Sequence, residues 1–250
     1  MDLIKKCLLP FNKVTLPDLD KVQLMNRIDK KFCLHINQLP AVLEAIKNDY
    51  SLLEIQGRTL FHYDNTYFDT PDNQMFLAHH NGRSIRVKIR IRRYVDSDLN
   101  FLEIKLKNNK GRTLKERIEK QEFKPVFTFE EKNFLEQGSP FTWLQLQPKI
   151  RSFFNRFTLV NHQFTERITI DVFPGFSNSE KEITLDKLVI IEIKQDKLSK
   201  ESMISNVLMN QKIKGQGISK YCIGRALLDD NLKKNNFKPL LLKIRKYYYN

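Results

Sequence analysis

The stretch Ser84-Ile-Arg-Val-Lys-Ile-Arg-Ile-Arg-Arg-Tyr94 decides the fold. Ile85, Val87, Ile89 and Ile91 alternate without a break against Arg86, Lys88, Arg90 and Arg92. A period of two is the strand period, so the aliphatics share one face and the cations the other. Neighbouring cations on that face stand about 7 Å apart. At an effective dielectric of about 20, each pair repels by roughly 2 kcal/mol. Such a row needs either water or a polyanion against it.

Further segments repeat the pattern. Asn26 to Leu34 reads as a strand with Arg27, Asp29 and Lys31 in its polar series. Phe101 to Lys107 sets Leu102, Ile104 and Leu106 against Glu103, Lys105 and Lys107, and Asn108-Asn109-Lys110-Gly111 signals a hairpin turn into Thr113 to Glu119. Arg156 to Val160 and Thr165 to Val172 form a second hairpin around Asn161-His162, and Leu188 to Lys194 is the last clear strand, with Glu192 and Lys194 polar. Thr59 to Phe68 is aromatic and β-branched in parts and ends at Asp69-Thr70-Pro71-Asp72. Helices are expected over Pro40 to Asn48, Thr128 to Phe154, Ser199 to Lys212, Ser219 to Leu228 and Leu232 to Tyr249. Thr128 with Glu131 has the capping-box spacing, and Ser219 is a second candidate cap.

Composition bounds the partners. The chain has 250 residues, 41% of them hydrophobic, which supports a real core, and a formal charge of +14. This charge implies an acidic partner: nucleic acid, anionic lipid or a phosphate compound. Cys7, Cys33 and Cys222 show neither an even count nor CxxC spacing, so a reducing compartment is the default. No run approaches 18 apolar residues, and the N-terminus is too short for a signal peptide, so a cytoplasmic protein is expected. Without repeats or a Gly/Ser linker, residues 1–250 read as a single domain with a core over about 26–228 and a basic C-terminal helix over 231–250.

An ordinary solvated sheet mixes charge signs across strands, because like charges directly opposite destabilise it. Here at least five strands carry mainly cations on one face, with Glu103 and Glu192 as sparse acidic members. Any one strand alone fits a solvated sheet. Together they fit an α+β fold in which a closed antiparallel barrel with a polar basic bore and peripheral helices would gather these side chains around a lumen. Converging Arg and Lys would grip a linear polyphosphate, and a lone Glu among them suits a divalent cation held on the phosphates.

Several ordered blocks carry a family resemblance. They begin with Arg27-Ile-Asp-Lys-Lys31-Phe, Tyr67-Phe-Asp-Thr-Pro71, Leu77-Ala-His-His-Asn-Gly82, Lys88-Ile-Arg-Ile-Arg-Arg-Tyr94 and Phe101-Leu-Glu-Ile-Lys105. They continue with Lys110-Gly-Arg-Thr-Leu-Lys115, Arg156-Phe-Thr-Leu, Thr165-Glu-Arg-Ile-Thr-Ile-Asp171, Ile191-Glu-Ile-Lys194 and Ser219-Lys-Tyr221. Over roughly Asn26 to Leu228 the sequence resembles the VTC-type polyphosphate polymerase domain of the triphosphate-tunnel (CYTH-like) superfamily.

The resemblance implies an eight-stranded closed tunnel that adds the γ-phosphate of ATP to a growing polyphosphate chain. It implies Arg90, Arg92, Lys105 and Arg167 as catalytic residues and Lys31, Lys115, Arg156, Lys194, Ser219 and Lys220 as phosphate-binding residues. Glu192, and second to it Glu103, would hold Mn2+ or Mg2+. Ser219 has capping as its more frequent job. Hydrolytic members open with Glu-x-Glu-x-Lys, whereas this chain has Arg27-x-Asp29-x-Lys31, which agrees with the polymerase branch. In eukaryotic members of the family it resembles, this domain is accompanied by phosphate-sensing and membrane-spanning regions, which are not expected in this chain. A membrane protein partner and a peripheral place at a membrane thus stay open as expectations.

Two other readings are a tunnel triphosphatase acting on tripolyphosphate or a nucleoside triphosphate, and a non-catalytic module binding RNA or stored polyphosphate. Nucleic acid is not the expected partner. His79-His80 looks like a metal pair, but a turn beside Asn81-Gly82 is the expected setting. Lys214-Gly-Gln-Gly-Ile-Ser-Lys220 lacks the Walker spacing, and Trp143 is expected to pack.

Overall fold

The computed structural model describes residues 1–20, 22, 27–199 and 202–248, with side chains through Lys246. Its strands are β1 Lys13–Val14, β2 Arg27–His35, β3 Tyr50–Leu53, β4 Phe61–Asp69, β5 Arg86–Tyr94 and β6 Leu99–Lys107. They continue with β7 Thr113–Lys120, β8 Gln147–Asn161, β9 Glu166–Ser177, β10 Glu182–Thr184 and β11 Leu188–Asp196. The helices are α1 Asp2–Leu8, α2 Leu16–Leu19, α3 Leu39–Ile46, α4 Gln74–His80, α5 Phe129–Gly138, α6 Met203–Asn210, α7 Lys220–Leu228 and α8 Lys238–Tyr248.

The main sheet runs β2-β11-β9-β8-β4-β5-β6-β7, and each neighbouring pair in it is antiparallel. β3 pairs with β8, β1 with β3, and β10 with β9. Among the described residues, β2 and β7 do not pair, so the sheet is open and the expected closed barrel is not formed. A physical reason lies at the β2 edge. Its Lys31 carbonyl accepts from the Gln216 backbone N–H at 2.8 Å, and Phe32 bridges to Gly215. The segment leading into α7 thus occupies hydrogen-bonding groups that a closing strand would need.

The sheet nevertheless curls. β2 and β6 stand six places apart in strand order, about 29 Å on a flat sheet. Yet Lys31 of β2 and Lys105 of β6 line one cavity. The two faces divide as the alternation requires. Ile168, Ile170, Ile191 and Ile193 lie under α1, α3 and α6 on the outer side of β9 and β11. Val87, Ile89, Ile91, Leu102 and Ile104 belong to a second core that includes Leu135 of α5. The cations of these strands face the other way.

One helix sits inside the curl. α7 is capped by Ser219, whose hydroxyl accepts from the Cys222 N–H at 3.4 Å. It places Tyr221, Cys222 and Ile223 against Tyr67, Ile150, Phe176 and Ile190. Gly224 permits this approach, because a Cβ there would stand 2.5 Å from the Phe176 ring. Apolar side chains thus fill the floor beneath the cationic face.

The expected helix over Thr128 to Phe154 is corrected. Thr128 does cap α5 through the capping box with Glu131, but α5 ends at Gly138 and β8 already begins at Gln147. Trp143, Leu146, Ile150 and Phe154 fall three or four apart, which imitates a helix. A bulge between Phe153 and Asn155 further breaks the strand alternation. His79 and His80 lie in the last turn of α4, not in the expected turn. Trp143 packs under Lys132 at 3.9 Å. Asn26 and Tyr249, placed at element ends by the sequence reading, lie outside the described residues, as do Lys200 and Glu201 within the expected Ser199 to Lys212 helix. Among the described residues no helix is long and apolar enough to cross a membrane.

Candidate phosphate-binding site

The inner face holds two clusters, each built around a buried carboxylate. On β6, Glu103 is 2% exposed and lies between Arg90 and Lys115. Arg90 Nε donates to its Oε2 at 2.7 Å and Lys115 Nζ to its Oε1 at 2.6 Å. Arg90 also donates to the Tyr67 hydroxyl at 3.0 Å. Burial pushes the Glu103 carboxyl up, but the charges of Arg90, Arg92 and Lys115 outweigh it and hold the group well below the usual carboxylate range. Arg92 donates to Asn65 Oδ1 at 2.8 Å and lies over the Tyr63 ring, with no acidic partner among the described residues.

Across Tyr63 stands the second cluster. Arg156 of β8 holds Asp171 of β9 in a fork, Nε to Oδ1 at 2.5 Å and Nη2 to Oδ2 at 2.8 Å. Lys220 of α7 donates to the same Oδ2. The Arg156 guanidinium is 5.0 Å from the Tyr63 ring centre, so one aromatic ring separates Arg92 from Arg156. Planar guanidinium groups stacked on rings are held ready for bidentate phosphate contacts.

Glu192 is different. Its β11 position faces Lys31 on β2 and Thr169 on β9. Its charged partners are distant, Lys31 at 3.7 Å and Lys194 at 3.9 Å. Burial raises this carboxyl, but Lys31, Lys194, Arg156 and Lys105 together keep it well below its ordinary range, so it is an anion. The Thr169 hydroxyl opposite is buried and without a hydrogen-bond partner. One loosely held carboxylate beside an unused hydroxyl is a donor set that fits Mg2+ or Mn2+ shared with substrate phosphates. Among the described residues no three His, Cys, Asp or Glu side chains group as a metal cage. Glu103, the second metal expectation, has both oxygens engaged by cations.

The remaining expected residues fall on the same face. Lys194 is opposite Arg167, and Arg167 has a buried Nε without a partner. Lys31, Lys105 and Ser219 line a cavity of 1280 Å³; the other expected residues lie outside its lining. Ser219 acts as a cap at α7.

Sequence reasoning missed Asp171, Tyr63, Tyr67 and Asn65, which position the arginines, and Thr169. It also left out Arg86, Lys88 and His79, which line the cavity. The alternation of β5 already put Arg86 and Lys88 with Arg90, so that signal was present in the sequence. His79 comes from α4, and only tertiary packing brings it there. Burial above all, with Lys88, Arg86, Lys31 and Lys105 nearby, lowers its imidazole to about 2, so it is neutral.

Two lysines set a pH dependence. Burial lowers Lys88 to about 7, with Lys31, Lys105 and Arg90 adding to the effect. It lowers Lys194 to about 8, with Arg167, Arg156 and Arg27 adding and Glu192 opposing. Between these values and the ordinary lysine range the unfolded chain binds more protons than the folded one. Stability of the ligand-free protein from these groups is therefore expected to rise with pH from about 7 upward. Anion affinity should move the other way, falling up to about tenfold per pH unit for each lysine that must be charged. Tripolyphosphate titrations and melting curves from pH 7 to 9 check both signs; parallel movement of the two would refute the assignment.

The inner face of a curled antiparallel sheet, unpaired between β2 and β7 among the described residues, thus carries paired arginines, lysines and sparse carboxylates. A family model described as the VTC domain matches residues 26–229. The chain belongs to the VTC domain family. A comparison with curated protein sequences finds no match. Among solved structures, a candidate adenylate cyclase from Bacillus halodurans is 17% identical, covers 78% of this chain and 94% of its own, and has a TM-score of 0.51. Another from Vibrio parahaemolyticus is 11% identical, with coverages of 80% and 99% and a TM-score of 0.48. A Hippeastrum protein described as a candidate adenylyl cyclase with a dominant triphosphatase activity is 14% identical, with coverages of 80% and 96% and a TM-score of 0.43. The likeness to the Bacillus protein is one of fold.

Proposed function

We propose that this chain is a phosphoryl-transfer enzyme that makes inorganic polyphosphate from ATP. The observation carrying this reading is Glu192, a single loosely held carboxylate on a face otherwise dominated by buried cations. A hydrolase that activates water with several carboxylates would need more acidic groups there. At the place where hydrolytic relatives open with a glutamate, Arg27 instead pairs with Asp29 at 3.0 Å.

In the reaction, a terminal oxygen of the phosphate chain attacks the γ-phosphorus of ATP. The bond from that phosphorus to the β–γ bridging oxygen breaks, and ADP leaves with the electron pair. The chain grows by one phosphate. The attacking oxyanion needs no strong base, so positioning and charge neutralisation dominate. Arg90, Arg92 and Arg167 would neutralise charge on the transferring group. Tyr67 and Glu103 fix Arg90, while Asn65 fixes Arg92. Arg156, Lys220, Lys31, Lys105, Lys115 and Lys194 would hold donor and acceptor phosphates. Glu192 and Thr169 would hold a divalent ion, which when bound offsets charge on the β- and γ-oxygens.

Incubation with ATP and Mn2+, with products resolved on a urea gel, tests this. Polymer together with ADP is expected. Orthophosphate without polymer would replace the reading with a triphosphatase. Salt-sensitive anion binding without ADP would replace it with a binding module.

A further inference from the structure

The 1280 Å³ cavity is lined by residues on both sides of the edge strand β2. It starts at His79 and Cys222, above the apolar floor made by α7, and extends around the edge of β2 to Asn206 and Met209 of α6. α6 packs on the opposite face of the sheet, beside Ile191 and Ile193. A cavity touching both sides of one edge strand passes through the gap between β2 and β7. One bank of the gap is the segment from Lys212 to Ser219, paired to β2 through Gly215 and Gln216. The other is the end of the β6–β7 hairpin, Lys107 and Thr113.

The passage is strongly charged. Eight lysines and arginines line it, against the single carboxylate of Asp29. Arg86, Lys88, Lys105 and Lys107 have no acidic partner among the described residues, and the Arg86 Nε is buried with no hydrogen-bond partner. Lys212 and Lys214 continue the row outward. Cations without counter-ions around a channel call for a ligand that supplies repeated negative charge. Below, Tyr221, Phe176 and Ile150 form part of an apolar core that offers such a ligand no counter-charge.

We infer that a linear polyphosphate chain enters and leaves this site sideways, through the gap between β2 and β7, so that no free chain end has to be threaded through the sheet. This rests on the polyphosphate reading above. A threaded tunnel accepts only chains with a free end, whereas a lateral passage accepts the middle of a chain.

The test uses long-chain polyphosphate with free ends and the same polymer with both ends blocked by a bulky globular carrier. Binding to the full chain is measured without nucleotide. Blocked and free polymers are expected to bind alike, within about twofold. Substituting K107E together with K214E should weaken the long chain about tenfold more than tripolyphosphate. Loss of blocked-chain binding of tenfold or more, with free-ended chains still bound, overturns lateral entry alone. Failure of both polymers to bind overturns the polyphosphate reading and this inference with it. Equal weakening of long and short chains by the double substitution also overturns it.

Discussion

Asp171→Asn is expected to lower the stability of the ligand-free protein by about 3 kcal/mol, since removing one partner from a buried ionic group leaves the others uncompensated. Asp171 is 2% exposed, and its two oxygens engage Arg156 and Lys220, which are themselves mostly buried. The amide keeps the shape but removes the charge, leaving two cations facing each other beside the Tyr63 and Phe154 rings. For a chain of this size the change corresponds to roughly 6–12 °C in melting temperature. A polyphosphate chain would supply the missing negative charge, so saturating tripolyphosphate should recover much of the loss. Melting curves with and without tripolyphosphate measure this. An unchanged melting temperature, or a loss that the anion does not reduce, would show that Asp171 does not hold the cations ready for phosphate.

Glu192→Gln should divide catalysis from binding. Turnover of ATP to polymer is expected to fall by about 10²–10³, the range seen when one group stabilising transition-state charge is lost. Tripolyphosphate binding measured without divalent metal should be kept or strengthened, because an anion is removed from a cationic face. The fold tolerates this change better than Asp171→Asn, since the Glu192 partners stand at 3.7 and 3.9 Å rather than in a tight fork. Equal loss of turnover and of metal-free binding in a folded variant would end the assignment of a metal to Glu192. The two substitutions thus separate a carboxylate that holds protein cations from one available to an ion.

Much of the site was legible because strand alternation is local. Arg86, Lys88, Arg90 and Arg92 share a face whatever the rest of the chain does, and the short turn between β5 and β6 sets Glu103 opposite Arg90. The capping residues Thr128 and Ser219 could be found for the same reason. β8 was not legible. Its bulge interrupts the alternation, and residues three and four apart suggest a helix. Asp171 read as one more polar residue of an alternating strand: the hairpin register sets Arg156 opposite it, but Lys220 lies on α7 and only packing brings it there.

The amino-acid order alone determined which side chains stand together on each β-segment and that the cationic ones need a polyanion, since both follow from a two-residue period and Coulomb repulsion. Whether the sheet would close could not be determined locally. It depends on which distant backbone groups reach the β2 edge, and Gly215 and Gln216 reach it instead of β7. Tertiary structure therefore decided that the basic face opens sideways, because an edge hydrogen bond already made is not available to a closing strand.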